Sequence, residues 1–340
     1  MIFYMRIIVD AFGGDHAPLE ILRGCALAAR ETGVEILLTG REDEIKKCAA
    51  ENQIDLTGMQ ILHAPDVMLM SDHAAEILKS KSSTSMAVGL KALAAGQGDA
   101  FVSAGSTAAL VMGATFIVKR IRGVKRAAIA AVMPANTGPV MLIDMGANAD
   151  CTAEYLHQFA VMGDIYMQKV MGFQSPRIGL ANIGTEEGKG GKLQIEAFDL
   201  MKQGSYNFIG NIEARDIPHG CCEVVVADGF TGNIILKMYE GVAGAIMANL
   251  KAIYKKNPLT MLSALMVKGG LTEFKKKMDY TEFGGAPLLG INGIVIKAHG
   301  SSDAKAIKNA VRQAKIITEQ EVVKAITDNI TPNLSSEQNE

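Results

Sequence analysis

The sequence predicts an α/β protein with a mainly parallel sheet and helices on both sides, and three observations carry that prediction. Short apolar β-type runs alternate with longer helical patterns along the chain. Several runs are apolar on both faces, as strands covered by two helix layers must be. No internal repeat, Pro-rich linker or abrupt change of composition interrupts the rhythm. Residues 1–330 therefore read as a single α/β unit, and the polar stretch TPNLSSEQNE (331–340) reads as a disordered tail. With 340 residues, 49% of them hydrophobic, the chain has ample material for a core.

The elements follow in order. RIIVD (6–10) is the first strand, and DAFGGD (10–15) is the turn after it. There Gly13 and Gly14 allow close approach of a ligand, while Asp10 or Asp15 bonds backbone or a lysine. EILLT (35–39) and QILHA (60–64) are the next two strands, and AFVSA (100–104) runs into SAGSTAA (103–109). In that loop Ser103, Gly105, Ser106 and Thr107 are suited to an anion. VMLID (140–144) leads into DMGANAD (144–150), with Asp144 and Asn148. RIGLANI (177–183) opens NIGTEEGKGGK (182–192), EVVVA (223–227) opens DGFTGN (228–233), and GIVIK (293–297) opens KAHGSSD (297–303). Ligands of parallel sheets gather at the carboxyl ends of strands, so these six loops are where chemistry is expected. Any one of them can be an ordinary turn with an Asp or Ser cap, but six together point to a site.

Familiar nucleotide motifs are missing. Gly184, Gly188 and Lys189 read G-x-x-x-G-K, one residue short of a Walker loop and without its Ser or Thr, and no G-x-G-x-x-G occurs. The formal charge of −2, from 34 basic and 36 acidic residues, offers no basic stripe for nucleic acid. Asp10, Asp15 and Asp144 are scattered over loops without His or Cys alongside, so no metal is expected. Cys25, Cys48, Cys151, Cys221 and Cys222 form no C-x-x-C pair and read as reduced residues of a cytosolic protein. MIFYMRIIVD lacks the pattern of a signal peptide, and no apolar stretch is long enough to span a bilayer.

One segment departs from the α/β rhythm. In LTMLSALMV (259–267), Leu259, Leu262, Leu265 and Met266 share a helical face flanked by Lys255, Lys256, Lys268 and the run Lys275 to Lys277. Residues 255–280 thus read as a projecting amphipathic segment, either lying on a membrane surface or packing at a subunit interface.

Taken together, the motifs resemble those of the phosphate acyltransferases of bacterial phospholipid synthesis. They run from DAFGGDHAP (10–18) through KSSTSM (81–86), SAGSTAAL (103–110), DMGAN (144–148), NIGTEEGKG (182–190), GNIEARDI (210–217) and VVADGFTGNIILK (225–237) to GGAPLLGINGIVIKAHG (284–300). Phe12 stands where the family usually carries Met, and Ser106 and Ala108 replace Asn and Gly of the family's serine-glycine motif. The resemblance implies a three-layer α/β/α sandwich like that of phosphotransacetylases and isopropylmalate dehydrogenases. It implies transfer of an acyl group from acyl-[acyl carrier protein] to inorganic phosphate, without metal or organic cofactor. It also implies a homodimer associated peripherally with the cytoplasmic face of the cell membrane.

The residue types suit that chemistry. Phosphate is itself the nucleophile and a thiolate leaves readily, so no Ser or Cys nucleophile is needed. The reaction needs a phosphate pocket, donors for the developing oxyanion and an apolar slot. Lys189 and Lys192 are the first candidates for charge balance, held by Gly184, Gly188, Gly190 and Gly191, although Glu186 and Glu187 must turn away or pair with them. Thr231, Gly232 and Asn233 open a helix expected from Ile234 and would present donors at its positive end, with Asn233 orienting carbonyl or phosphate. Asp228 would orient a lysine or serve as a turn residue, and His299 would donate to phosphate or carry a proton. The basic clusters KRIRGVKR (119–126) and 275–277 are candidate docking points for an acidic carrier protein. Sequence alone leaves open an acyl-CoA donor and a non-catalytic lipid-binding protein.

Overall fold

The computed structural model describes residues 5–277 and 283–330. The tail at 331–340, the last residues of the 255–280 segment and the side chains of 275–277 lie outside the described residues.

All eight expected strands form: β1 (Arg6–Asp10), β2 (Glu35–Gly40), β3 (Met59–His63), β4 (Ala100–Ser103), β6 (Gly138–Ile143), β7 (Ile178–Asn182), β9 (Val224–Val226) and β11 (Ile294–Lys297). Three more join them. These are β5 (Ala128–Ala135), β8 (Phe208–Glu213) and β10 (Ala286–Leu289). β5 is rich in Ala and carries Pro134, β10 carries Pro287, and β8 is broken by Gly210 and Asn211, so none matches a strand by composition. Their order across one sheet is β3-β2-β1-β4-β11-β10-β5-β6-β9-β7-β8.

β3, β2, β1, β4 and β11 run parallel, as do β6, β9, β7 and β8, while β10 and β5 join the two groups by antiparallel pairing. The two parallel groups therefore point in opposite directions. The register shows where they end. Lys297 stands opposite Ala286, Leu288 opposite Ile129, and Ala130 opposite Ile143. Followed across the sheet, these pairs bring the carboxyl ends of both groups to nearly the same level, within about two residues or roughly 7 Å. The loops after β1, β4 and β11 thereby face those after β6 and β9 across the two central strands.

Helices cover both faces: α1 (Leu19–Thr32), α2 (Glu42–Glu51), α3 (Ser85–Ala94), α4 (Thr107–Gly113), α5 (Ala153–Lys169), α6 (Lys192–Met201), α7 (Gly229–Tyr254), α8 (Pro258–Met266), α9 (Lys268–Lys277), α10 (Ala304–Glu319) and α11 (Val322–Ile330). Alternate strand residues feed the two layers, as strand geometry requires. Ile7, Val9, Met141 and Ile143 pack with α1, α5 and α10, whereas Ile8 and Phe101 pack with α3 and α4 on the other side. Val140 and Leu142 pack on partly buried Ile235, Leu236 and Tyr239 of α7.

α7 changes the expected boundary of the projecting segment. Of its 26 residues only Gly229 and Gly232 are fully buried, and Gly241 and Gly244 have open space where a side chain would begin. The projection thus starts inside α7 and continues through α8 and α9, earlier than residue 255. Asn257 caps α8, its side-chain oxygen accepting from the Thr260 N–H at 2.9 Å.

Candidate active site

Between α4 and α7, over β5 and β10, lies a cavity of about 900 Å³, large enough for a sizeable organic ligand. One wall is apolar, built by Val111 and Met112 of α4, Phe116 of the π-turn that continues it, and Leu236 of α7. Another is polar, with Lys297 at the end of β11 and His299 and Ser302 after it facing Asn233, Lys237 and Glu240 on α7. Arg120 and Arg126 stand on its rim.

The loops after β1, β4 and β11 hold one another. Ser103 Oγ donates to Asp10 at 2.7 Å, and the Phe12 N–H donates to the same carboxylate at 3.2 Å. Burial pushes the Asp10 carboxyl up, against bonds from Ser85, Ser103 and the N–H groups of Phe12 and Gly13. A Cβ on Gly13 would lie 2.7 Å from both Asp10 Oδ2 and the Gly105 nitrogen, so the close approach foreseen for this glycine is to its own chain. Gly14 turns the backbone at φ +101°, and the Asp15 N–H donates to Gly300 O at 2.8 Å. Ser103, Gly105 and Ser106 are buried in this joint. Thr107 and Ala108 are the members of the loop that reach the cavity wall.

Asp144 and Asn148 form a second joint. The fully buried Asp144 carboxylate accepts from the N–H groups of Ile129 (2.9 Å), Ala147 (3.1 Å) and Asn148 (2.7 Å) and from Asn148 Nδ2 (2.9 Å). Asn148 Nδ2 also donates to Ala127 O at 2.8 Å. Burial pushes the Asp144 carboxyl up despite these bonds. Asp144 thus fixes the loop to β5 and offers its oxygens to the protein, not to a ligand.

The start of α7 differs from the expected one. The helix begins at Gly229, five residues before Ile234, because Asp228 caps it by accepting from the Thr231 N–H at 2.9 Å and the Thr231 hydroxyl at 2.7 Å. The donors of Thr231 are therefore used by the protein, and Asp228 caps the helix without an ion pair to a lysine among the described residues. A Cβ on Gly232 would sit 1.9 Å from the Asp144 carbonyl oxygen, so this glycine lets α7 lie directly on the 144–148 loop. Asn233 consequently falls in the second turn, where it lines the cavity and makes no side-chain hydrogen bond among the described residues.

The 182–192 loop shares the sheet edge with these residues but lines no part of the cavity. It folds on itself. Lys189 pairs with Glu186 at 3.8 Å, Lys192 with Glu196 at 3.7 Å and Glu187 with Lys202 at 3.0 Å, all on exposed side chains. Asn182 Nδ2 donates to Lys189 O at 3.0 Å, and Gly190, at φ +93°, packs against that asparagine. Gly184 packs under Lys189, and nothing lies near Gly188.

His299 joins Asn233 at the cavity. Its Nδ1 lies 2.8 Å from Ser301 Oγ and accepts from the Ser301 N–H at 3.2 Å, which leaves Nε2 as the protonated nitrogen. Burial pushes the Glu240 carboxyl up, with His299 and Lys237 pulling it down. Lys297 was overlooked in sequence because it closes a strand. A charged residue ending an apolar run, directly before the polar strand-end loop AHGSSD, was the available signal. Burial draws its ammonium down to about 8, against the attraction of Asp15 and Asp10. Away from the cavity, Leu259, Leu262, Leu265 and Met266 on α8 are all exposed, Met266 at 83%.

The sequence profile of a family described as fatty acid synthesis protein matches residues 5–325. A protein from Thermoanaerobacterium thermosaccharolyticum named phosphate acyltransferase is 47% identical over 322 residues, covering 95% of this chain and 96% of its own. One of the same name from Caldanaerobacter subterraneus subsp. tengcongensis is 46% identical over 327 residues, covering 96% and 97%. Among solved structures, a phosphotransacetylase from Streptococcus pyogenes matches with a TM-score of 0.60 at 19% identity over 94% of each chain, a likeness of fold.

Proposed function

We propose, from the premise that this chain belongs to the fatty acid synthesis protein family of phosphate acyltransferases, that its acyl donor is a long-chain acyl-[acyl carrier protein] and that the central cavity is where the transfer occurs. A phosphate oxygen attacks the thioester carbonyl carbon, the carbon–sulfur bond breaks, and the carrier leaves as a thiolate that takes up a proton. Acyl phosphate is the product. The observation that carries this reading is the pairing of an apolar wall (Val111, Met112, Phe116, Leu236) with a cationic and amide wall (Lys297, His299, Asn233) around one space. The first suits an acyl chain and the second an anion and an oxyanion. Asn233, whose amide has no other described partner, is the donor assigned to the carbonyl oxygen, and His299 Nε2 the donor assigned to phosphate or the departing sulfur.

The rim supports a protein-bound donor. Arg120, Arg122, Lys125 and Arg126 crowd one loop beside the opening, opposed in part by Glu154 at 3.3 Å from Lys125. Such a rim complements an acidic carrier. The unpartnered apolar residues of α7 and α8 support two further parts of the reading: α7 pairs with a second copy, and α8 lies on the inner face of the cell membrane. No described helix is long and apolar enough to cross a membrane.

The test is incubation of purified protein with long-chain acyl-[acyl carrier protein], with and without inorganic phosphate, following free carrier thiol and acyl phosphate. Phosphate-dependent release of thiol with acyl phosphate formed is the expected result. Turnover with acyl-CoA alone would assign the other donor.

A further inference from the structure

We propose that the Lys297 ammonium is the anchor that holds inorganic phosphate in the cavity. This rests on the reading above that phosphate is the acceptor, and it assigns the acceptor subsite to a residue outside the glycine-lysine loop at 182–192.

Lys297 closes β11 and stands on the cavity wall. Its side chain is partly buried, and Nζ donates to Ala298 O and, at 3.4 Å, to Ala104 O. Both partners are neutral carbonyls. Among the described residues no carboxylate lies within ion-pair distance of it, although fifteen other ion pairs of the chain are resolved. The acidic groups nearest in charge are Asp10 and Asp15. Asp10 is taken by Ser103 and the Phe12 N–H, and neither it nor Asp15 forms an ion pair with Lys297 among the described residues. A cation withdrawn from water, held only by carbonyls and facing a cavity, is short of one anion.

The other cations of the cavity are engaged differently. Arg120 donates to Lys125 O, Arg126 lies 5.6 Å over the Tyr155 ring, and Lys237 is exposed beside Glu240. His299, two residues beyond Lys297 on the same wall, supplies a second donor through Nε2. A point charge with one neighbouring N–H suits a small tetrahedral oxyanion that must keep one oxygen free to attack.

The experiment uses the full chain carrying Lys297→Met or Lys297→Arg, with steady-state kinetics in phosphate and in acyl thioester measured separately. The Met variant is expected to raise KM for phosphate at least tenfold while KM for the thioester stays within twofold, and Arg is expected to restore part of the loss. In parallel, wild-type protein is treated with pyridoxal 5′-phosphate and borohydride, and the labelled lysine is identified by peptide mapping. Labelling at Lys297, suppressed by inorganic phosphate, is the expected outcome, and it can be read even if the variants do not fold. An unchanged phosphate KM in a folded Met variant, or labelling that phosphate does not suppress, overturns the anchor. A wild-type protein that is protected by phosphate yet forms no acyl phosphate would keep the anchor and overturn the function.

Discussion

Replacing Lys297 with Met should make the phosphate-free protein more stable while weakening its hold on phosphate, and the size of the effect follows from where the ammonium sits. An ordinary lysine titrates near 10.5, and burial brings this one to about 8. At about 1.4 kcal/mol per pH unit, keeping the charge in place at neutral pH costs about 3 kcal/mol. Against this stand the bonds to Ala104 O and Ala298 O, each worth about 1 kcal/mol net. The Met variant should therefore gain about 1 kcal/mol, or about 1–2 °C in Tm for a chain of 340 residues. The sign with pH is fixed by the direction of the change. Because the folded lysine titrates lower than the unfolded one, the native state binds fewer protons between about pH 8 and 10.5, so wild-type stability rises through that window relative to the variant. Thermal unfolding in phosphate-free buffer at pH 7 and pH 9.5, then with phosphate added, reads all three effects. Phosphate at a hundredfold excess over its Kd should add about 2.7 kcal/mol to wild type and far less to the variant. A variant less stable than wild type without phosphate, or equally stabilised by it, refutes the reasoning.

Other perturbations test other parts of the site. Gly232→Ala places a Cβ where the Asp144 carbonyl oxygen lies at 1.9 Å, and because both sides are backbone the clash cannot be relieved by a rotamer; a loss of at least about 2 kcal/mol in denaturant unfolding, together with lost turnover, is expected. Asn233→Ala should lower kcat by about tenfold to a hundredfold with phosphate KM unchanged, since it removes a donor aimed at the transition state and not at the acceptor. Leu262→Glu with Leu265→Glu, both on the exposed face of α8, should abolish flotation with anionic phospholipid vesicles while leaving turnover in solution intact.

Particular residues show how far the sequence could be read. Runs such as RIIVD and EVVVA announce themselves because a strand buried on both faces needs apolar side chains at nearly every position, and all eight expected runs are strands, including β3, which is only partly buried. APLL and AIAAVMPA do not, because Pro287 and Pro134 argue locally against strands that only the neighbours on each side impose. Gly13 was recognisable as a place of close approach, but not what approaches it, which is the Asp10 carboxylate and the Gly105 nitrogen of the protein itself; Gly232, expected to offer a donor, instead lies against the Asp144 carbonyl oxygen. Lys189 and Lys297 differ more in surroundings than in sequence. Each lies in or beside a loop at the carboxyl end of a strand, yet one pairs with Glu186 in water and the other faces a cavity without a carboxylate in ion-pair range among the described residues.

The sequence by itself determined the fold class, the family and the six strand-end loops, because apolar periodicity, turn chemistry and ordered motifs are local properties of the chain. Only the tertiary structure decided which loops share a cavity. That choice depends on β10 and β5 reversing direction in mid-sheet and bringing the carboxyl ends of two opposed parallel groups to one level. Pairing between strands more than 150 residues apart, such as β10 with β5, sets the reversal, and no local pattern encodes it.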